Sequence, residues 1–154
     1  MTEQSFVVLM AEDDEHDIVA TRRAWKKGEI PYALHIVHDG EECLDYLFRQ
    51  GRYTHPTHAP RPGLLLLDIN MPRMSGLEVL RYLRESEHYK HLPVVMLTTS
   101  KTEEDRIRSY EIGANAFICK PVGFEQLSAV LRTTSDFWNL ATHPGDKYDS
   151  NQDI

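Results

Sequence analysis

The sequence predicts an α/β domain built as a doubly wound parallel sheet with helices on both faces. Three observations carry this. Leu64–Leu65–Leu66–Leu67 is an unbroken apolar run, as expected of a strand covered on both sides. Strand-like and helix-like runs alternate strictly through one short chain, which implies parallel pairing through helical crossovers. Two strands run directly into acid, one into Glu12–Asp13–Asp14 and one into Asp68, at the carboxyl edge where open α/β sheets bind ligands.

The elements follow in order. Phe6–Ala11 is the first strand, and a helix runs from Asp14 or Glu15 to Lys27 with Ile18, Arg22 and Trp25 on one face. Tyr32–Val37 is the second strand, followed by a helix over Glu41–Gln50 with the stripe Cys43, Leu44, Leu47 and Phe48. Gly51–Pro62 holds three prolines and no periodicity, and reads as a loop. The third strand, Gly63–Ile69, leads to a helix over Gly76–Arg84 carrying Leu77, Leu80 and Leu83. Val94–Thr98 leads to a helix over Lys101–Ile112 with a thin apolar stripe, and Ala116–Cys119 leads to a last helix from Gly123 or Phe124 to about Ala141. Ser75 with Glu78, Ser100 with Glu103 and Asp39 with Glu42 have the spacing of capping boxes or an acidic variant of them. Gly28 and Gly113 stand where C-cap glycines belong. Of the doubly wound orders, the flavodoxin-like 2-1-3-4-5, with α/β/α layers, suits five strands. The domain is expected over residues 5–141, with a polar tail over 142–154.

Composition narrows the function. The 154 residues fit one domain. Seventeen basic against twenty-four acidic residues give a net charge of −7, which argues against nucleic acid as a partner. No apolar run approaches a membrane span, and the first residues lack the basic and apolar regions of a signal peptide, so a cytoplasmic protein is expected. Cys43 and Cys119 read as reduced, buried thiols. The eight histidines read as solvated; His55 and His58 have no acid or cysteine beside them to complete a metal site.

Strand order 2-1-3-4-5 puts the first and third strands side by side, so Glu12, Asp13 and Asp68 converge. Their repulsion is resolved by a divalent cation, Mg²⁺ or Mn²⁺; the alternative is that each acid caps a helix or is solvated. The fourth strand ends in Thr98–Thr99–Ser100. With Ser100 used as a cap, Thr98 is free to meet an anion. The fifth strand ends in Lys120–Pro121. A lysine facing acids balances charge and can hold a phosphoryl oxygen, and Pro121 raises the prospect of a cis peptide aiming it inward; the alternative is a surface lysine before a turn. On the last helix Phe124, Leu127, Leu131 and Trp138 form one stripe, and Val130, Phe137 and Ala141 form another about a quarter-turn round. The second stripe suggests burial in a partner, with Val130, Phe137 and Trp138 as the interface of a homodimer; the alternative is a single broad core face.

Acids after strand one, Asp after strand three, Thr after strand four and Lys–Pro after strand five resemble the receiver domain of two-component response regulators, over about residues 5 to 135. The resemblance implies that Asp68 is the phosphoacceptor and that Asp13 ligates Mg²⁺ (or Mn²⁺), with Glu12 assisting. It further implies that the Asn70 carbonyl completes the protein ligands, that Thr98 and Lys120 bind the phosphoryl group, and that Phe117 is the switch aromatic. Glu12 stands where many receivers have Asp, and Phe117 replaces the more frequent tyrosine. The Thr98–Thr99–Ser100 run, the proline-rich loop and Ser135–Asp136–Phe137–Trp138–Asn139–Leu140 look like the regulators that serve bacterial and cyanobacterial phytochromes. That likeness implies a light-regulated histidine kinase as donor and dimerisation through helix four, strand five and helix five. Rival readings are a haloacid-dehalogenase-type phosphatase, which needs an Asp where Asn70 stands, a flavin module, which needs a phosphate cradle where Glu12–Asp13–Asp14 stand, and a phosphorylation-independent interaction module.

Overall fold

The computed structural model describes residues 6–141, so the tail expected over 142–154 lies outside the described residues. Five strands, β1 (Val7–Ala11), β2 (Ala33–Val37), β3 (Leu64–Leu67), β4 (Val94–Thr98) and β5 (Ala116–Cys119), form one parallel sheet in the order 2-1-3-4-5. The helices are α1 (Glu15–Lys27), α2 (Gly40–Phe48), α3 (Gly76–Arg84), α4 (Glu103–Ile112) and α5 (Phe124–Leu140). The register aligns Leu66 with Met10 on one side and with Val95 on the other.

Side chains alternate across the sheet with the strand period of two, and each face has its own core. Leu9, Leu65, Leu67, Val94 and Met96 pack with Cys43, Leu47, Val79, Leu80 and Leu83 from α2 and α3. Val8, Met10, Leu64, Leu66, Val95 and Leu97 pack with Ala24 and Trp25 of α1 and with Leu127 and Leu131 of α5. The second and third strands are shorter than the sequence reading, and the proline-rich loop winds into two 3-10 turns, Gly51–Tyr53 and Pro56–His58. Tyr46 holds this loop by donating from its hydroxyl to the Pro60 carbonyl at 2.8 Å.

Several expectations are corrected. Arg22 is exposed, and α1 instead buries Ile18, Thr21, Ala24 and Trp25. Tyr46 is buried in α2, with Leu44 and Phe48 only half-buried. The α4 cap is Thr102, whose hydroxyl accepts from Asp105 N–H at 3.2 Å; Ser100 lies two residues earlier and donates to the Asp105 carboxylate at 2.6 Å. Cys119 is exposed because β5 is an edge strand, whereas Cys43 is buried. His35 is half-buried on β2 beside Tyr46 rather than solvated. On α5, Phe124 faces solvent, while Val130 and Trp138 both lean on the α1 and α5 core; of the second stripe Phe137 stays exposed, at 59 %. The expected caps at Asp39 and Ser75 are present, each side chain accepting from the N–H three residues on. Gly113 closes α4 at φ +128°, a conformation that favours glycine.

One glycine places the site. A Cβ on Gly76 would lie 2.0 Å from the Asp68 carbonyl oxygen. Only glycine lets the start of α3 close on the end of β3, and Gly76 N–H donates to the Ile69 carbonyl there at 2.8 Å.

Candidate functional site

Four strands deliver polar side chains to the carboxyl edge of the sheet. Glu12 follows β1, Asp68 follows β3, Thr98 ends β4 and Lys120 follows β5. The backbone continues the strand pairing beyond the regular elements. Glu12 N–H donates to the Val37 carbonyl at 3.0 Å, Asp68 N–H to Ala11 at 3.2 Å and Lys120 N–H to Thr98 at 2.8 Å. These bonds fix where each side chain departs, and Glu12, Asp68 and Thr98 are buried.

The described residues contain no cis peptide, so Lys120–Pro121 is trans. The strand-like bond from Lys120 N–H to Thr98 holds the lysine backbone without it. The ammonium meets three carboxylates: Glu12 Oε1, Asp17 Oδ2 at 2.7 Å and Asp68 Oδ2 at 3.4 Å. Glu12 Oε2 accepts from Asp14 N–H at 3.1 Å. Asp68 Oδ1 is buried and has no hydrogen-bond partner. Carboxylate oxygens of Glu12, Asp13 and Asp68 lie within 4.8 Å of one another. An oxygen-only cluster with an orphaned buried oxygen fits a hard divalent cation.

Electrostatics follow from burial. Desolvation pushes the Glu12 carboxyl up to about 7 against the hydrogen bond from Lys120, and the Asp68 charge adds to the rise. Burial also works against the Lys120 ammonium, but hydrogen bonds to Asp17 and Glu12 and the Asp68 charge outweigh it and hold the lysine above its ordinary range. A cation among these oxygens would favour the ionised form of Glu12.

Of the residues picked from sequence, Glu12, Asp13, Asp68 and Lys120 come together, and Thr98 sits at the same edge, its Oγ1 accepting from Ser100 N–H at 3.2 Å. Asn70 is exposed on the loop after β3. Phe117 is half-buried on β5 against the α2–α3 core. Val130, Phe137 and Trp138 lie on α5, outside the cleft; near them Asp136 accepts from the Tyr32 hydroxyl at 2.7 Å, ahead of the start of β2. Two residues were missed. Asp17 carries no sequence signal beyond that of an acid in the first turn of α1, although a buried lysine with three donors calls for a third acceptor. Tyr110, on a helix whose apolar stripe is thin, carries no such signal in the sequence; its hydroxyl accepts the Phe117 N–H at 3.0 Å.

Sheet order, buried acids, edge threonine and caged lysine define a phosphoacceptor receiver fold, and the chain belongs to the response regulator receiver domain family, whose model matches residues 8–132. It is a signalling protein related to the phytochrome response regulators. The response regulator Rcp1 of Synechocystis sp. is 36% identical over 132 residues, covering 86% of this chain and 88% of that protein. The Mn²⁺-bound form of Rcp1 superposes with a TM-score of 0.77 at 35% identity, over 91% of this chain and 99% of that one. The response regulator RPA3017 in red light signaling of R. palustris gives a TM-score of 0.84 at 36% identity, over 92% of this chain and 99% of that one. The phosphorylated cyanobacterial phytochrome response regulator RcpA gives 0.82 at 34% identity, over 92% of this chain and 100% of that one.

Proposed function

We propose that this receiver, with its domain at residues 5–141, takes a phosphoryl group from the histidine of a phytochrome-type kinase onto Asp68, with Mg²⁺ held by Asp13, Asp68, the Asn70 carbonyl and Glu12. The observation carrying this is Asp68 itself: Oδ2 faces the lysine while Oδ1 is buried and unpartnered beside the oxygens of Glu12 and Asp13. The relatives described as phytochrome and red-light regulators support the donor, and the Mn²⁺-bound relative supports a divalent ion.

An Asp68 oxygen attacks phosphorus and a P–O bond forms. The P–N bond to the donor histidine breaks, and the nitrogen keeps the electron pair. The ion, when bound, neutralises charge on the carboxylate and the phosphoryl oxygens. Lys120 stays charged through the transfer and pairs with a phosphoryl oxygen. Thr98 donates its hydroxyl to another, and its movement leaves room for Phe117, which resets the surface of α4, β5 and α5. The protein catalyses only its own phosphorylation and dephosphorylation, and its output passes through protein contacts.

Intact mass after incubation with acetyl phosphate and Mg²⁺ tests the acceptor. One phosphoryl group is expected, absent without the ion and absent in Asp68→Asn. An unmodified wild type that also fails to bind beryllofluoride would instead favour a phosphorylation-independent module. We further propose a homodimer through Val130, Phe137 and Trp138; Phe137 is 59 % exposed and the neighbouring Leu140 81 %. Size-exclusion chromatography of Phe137→Ser should shift a dimer to monomer, and an unchanged elution volume would remove Phe137 from the interface.

A further inference from the structure

We propose that Asp17 is a positioning residue that retains the Lys120 ammonium at the cleft when Glu12 and Asp68 turn to a divalent cation. The inference rests on the receiver reading above. An ammonium has three donors, and Lys120 spends them on Glu12, Asp17 and Asp68. Two of those partners, Glu12 and Asp68, also belong to the oxygen cluster suited to the cation. Lysine and cation therefore draw on the same two carboxylates, although Asp68 gives the lysine Oδ2 and keeps Oδ1 unpartnered. A lysine side chain only 9 % exposed that lost both partners would be left with a costly unpaired charge.

Asp17 relieves this conflict. It lies outside the Glu12, Asp13 and Asp68 cluster. Its carboxylate is 37 % exposed, so it carries less desolvation cost than the buried Glu12 and Asp68. Its backbone is fixed at the start of α1, where Asp17 N–H donates to Asp14 Oδ1 at 3.0 Å. Asp17 and Lys120 together line a cavity of about 350 Å³ beside the cleft. Asp17 thus keeps one ammonium donor occupied while the others are released to a phosphoryl oxygen. Without Asp17, every carboxylate that Lys120 touches is one that the cation also draws on.

A double-mutant cycle on Mn²⁺ affinity tests this, with free Mn²⁺ counted by electron paramagnetic resonance. The full chain is compared with Asp17→Asn, Lys120→Gln and the double variant. Asp17→Asn should weaken Mn²⁺ binding about fivefold when Lys120 is present and less than about twofold when it is Gln, because contacting residues couple and a through-space charge effect does not need the lysine. Asp17→Glu keeps the charge but moves the carboxylate by a methylene, and should also weaken binding. Equal factors in both lysine backgrounds, or an Asp17→Glu protein that binds as wild type, overturns the proposal. Wild-type protein that is phosphorylated on Asp68 yet shows equal factors would overturn the role of Asp17 alone, whereas wild type that binds no Mn²⁺ would overturn the receiver reading with it.

Discussion

At the middle of the sheet, all four residues of β3 are buried, and they are flanked by β1 and β4, which are buried throughout. At the edge, β5 has no fully buried residue, and α4, packed beside it, buries only Ser109. The centre is held by apolar packing on two faces. At the edge a polar contact, Phe117 N–H to the Tyr110 hydroxyl at 3.0 Å, joins β5 to α4. Segments with few buried apolar contacts open at low cost. On the proposed function, the densely packed centre would keep Glu12 and Asp68 in register and the loosely held flank would respond to Thr98 and Lys120.

The largest expected effect lies at the centre. Leu65→Ala removes a fully buried side chain from the α2–α3 core, and the transfer and cavity terms together cost about 2–5 kcal/mol. Urea denaturation followed by circular dichroism should show that loss as a lower midpoint with an unchanged slope. A loss under about 1 kcal/mol would mean that the centre relaxes like the edge, and the comparison would fail.

The edge should behave differently. Tyr110→Phe removes one acceptor from the Phe117 N–H, but Tyr110 is half exposed and water can replace it, so global stability should fall by no more than about 1 kcal/mol. Hydrogen exchange at the Phe117 amide should nevertheless accelerate, because protection there depends on that hydroxyl. Unchanged exchange at Phe117 would show that the α4–β5 contact is not held by Tyr110.

The same contrast explains what the sequence made legible. Leu64–Leu67 reads as β3 because a short apolar run that ends in acid, in a chain of alternating elements, fits two-sided burial, and the acids at the strand ends mark the cleft because topology brings strand ends together. Exposure on an edge strand or at a helix start is not encoded in composition, so Cys119 at the end of β5 and Phe124 at the start of α5 read as more buried than they are. Hydroxyl and aromatic alternatives within one turn were also ambiguous: Ser100 and Thr102 both have capping spacing, and Tyr46 competes with Leu44 for one helix face. Asp17 stayed hidden because its partner lies 103 residues away. Only three-dimensional charge balance around Lys120 identifies it.

The opposite edge of the sheet offers the smallest test. His35 lies on β2, half-buried with its ring edge-on to Tyr46 at 5.8 Å between centroids. Burial alone lowers its pKa from the ordinary histidine value, so the folded protein prefers the neutral ring. Above the ordinary value of about 6.5 the ring is neutral in both folded and unfolded chains and nothing is lost. As pH falls below it the unfolded chain takes up the proton first, so stability declines until the lowered folded pKa is passed. His35→Gln cannot take up that proton. Melting temperatures of wild type and variant should therefore converge, or cross, as pH drops from 7.5 to about 5, a range chosen to bracket the unfolded histidine. Parallel curves would show that β2 leaves His35 as well solvated as an unfolded chain does, and that both edges of the sheet are equally open.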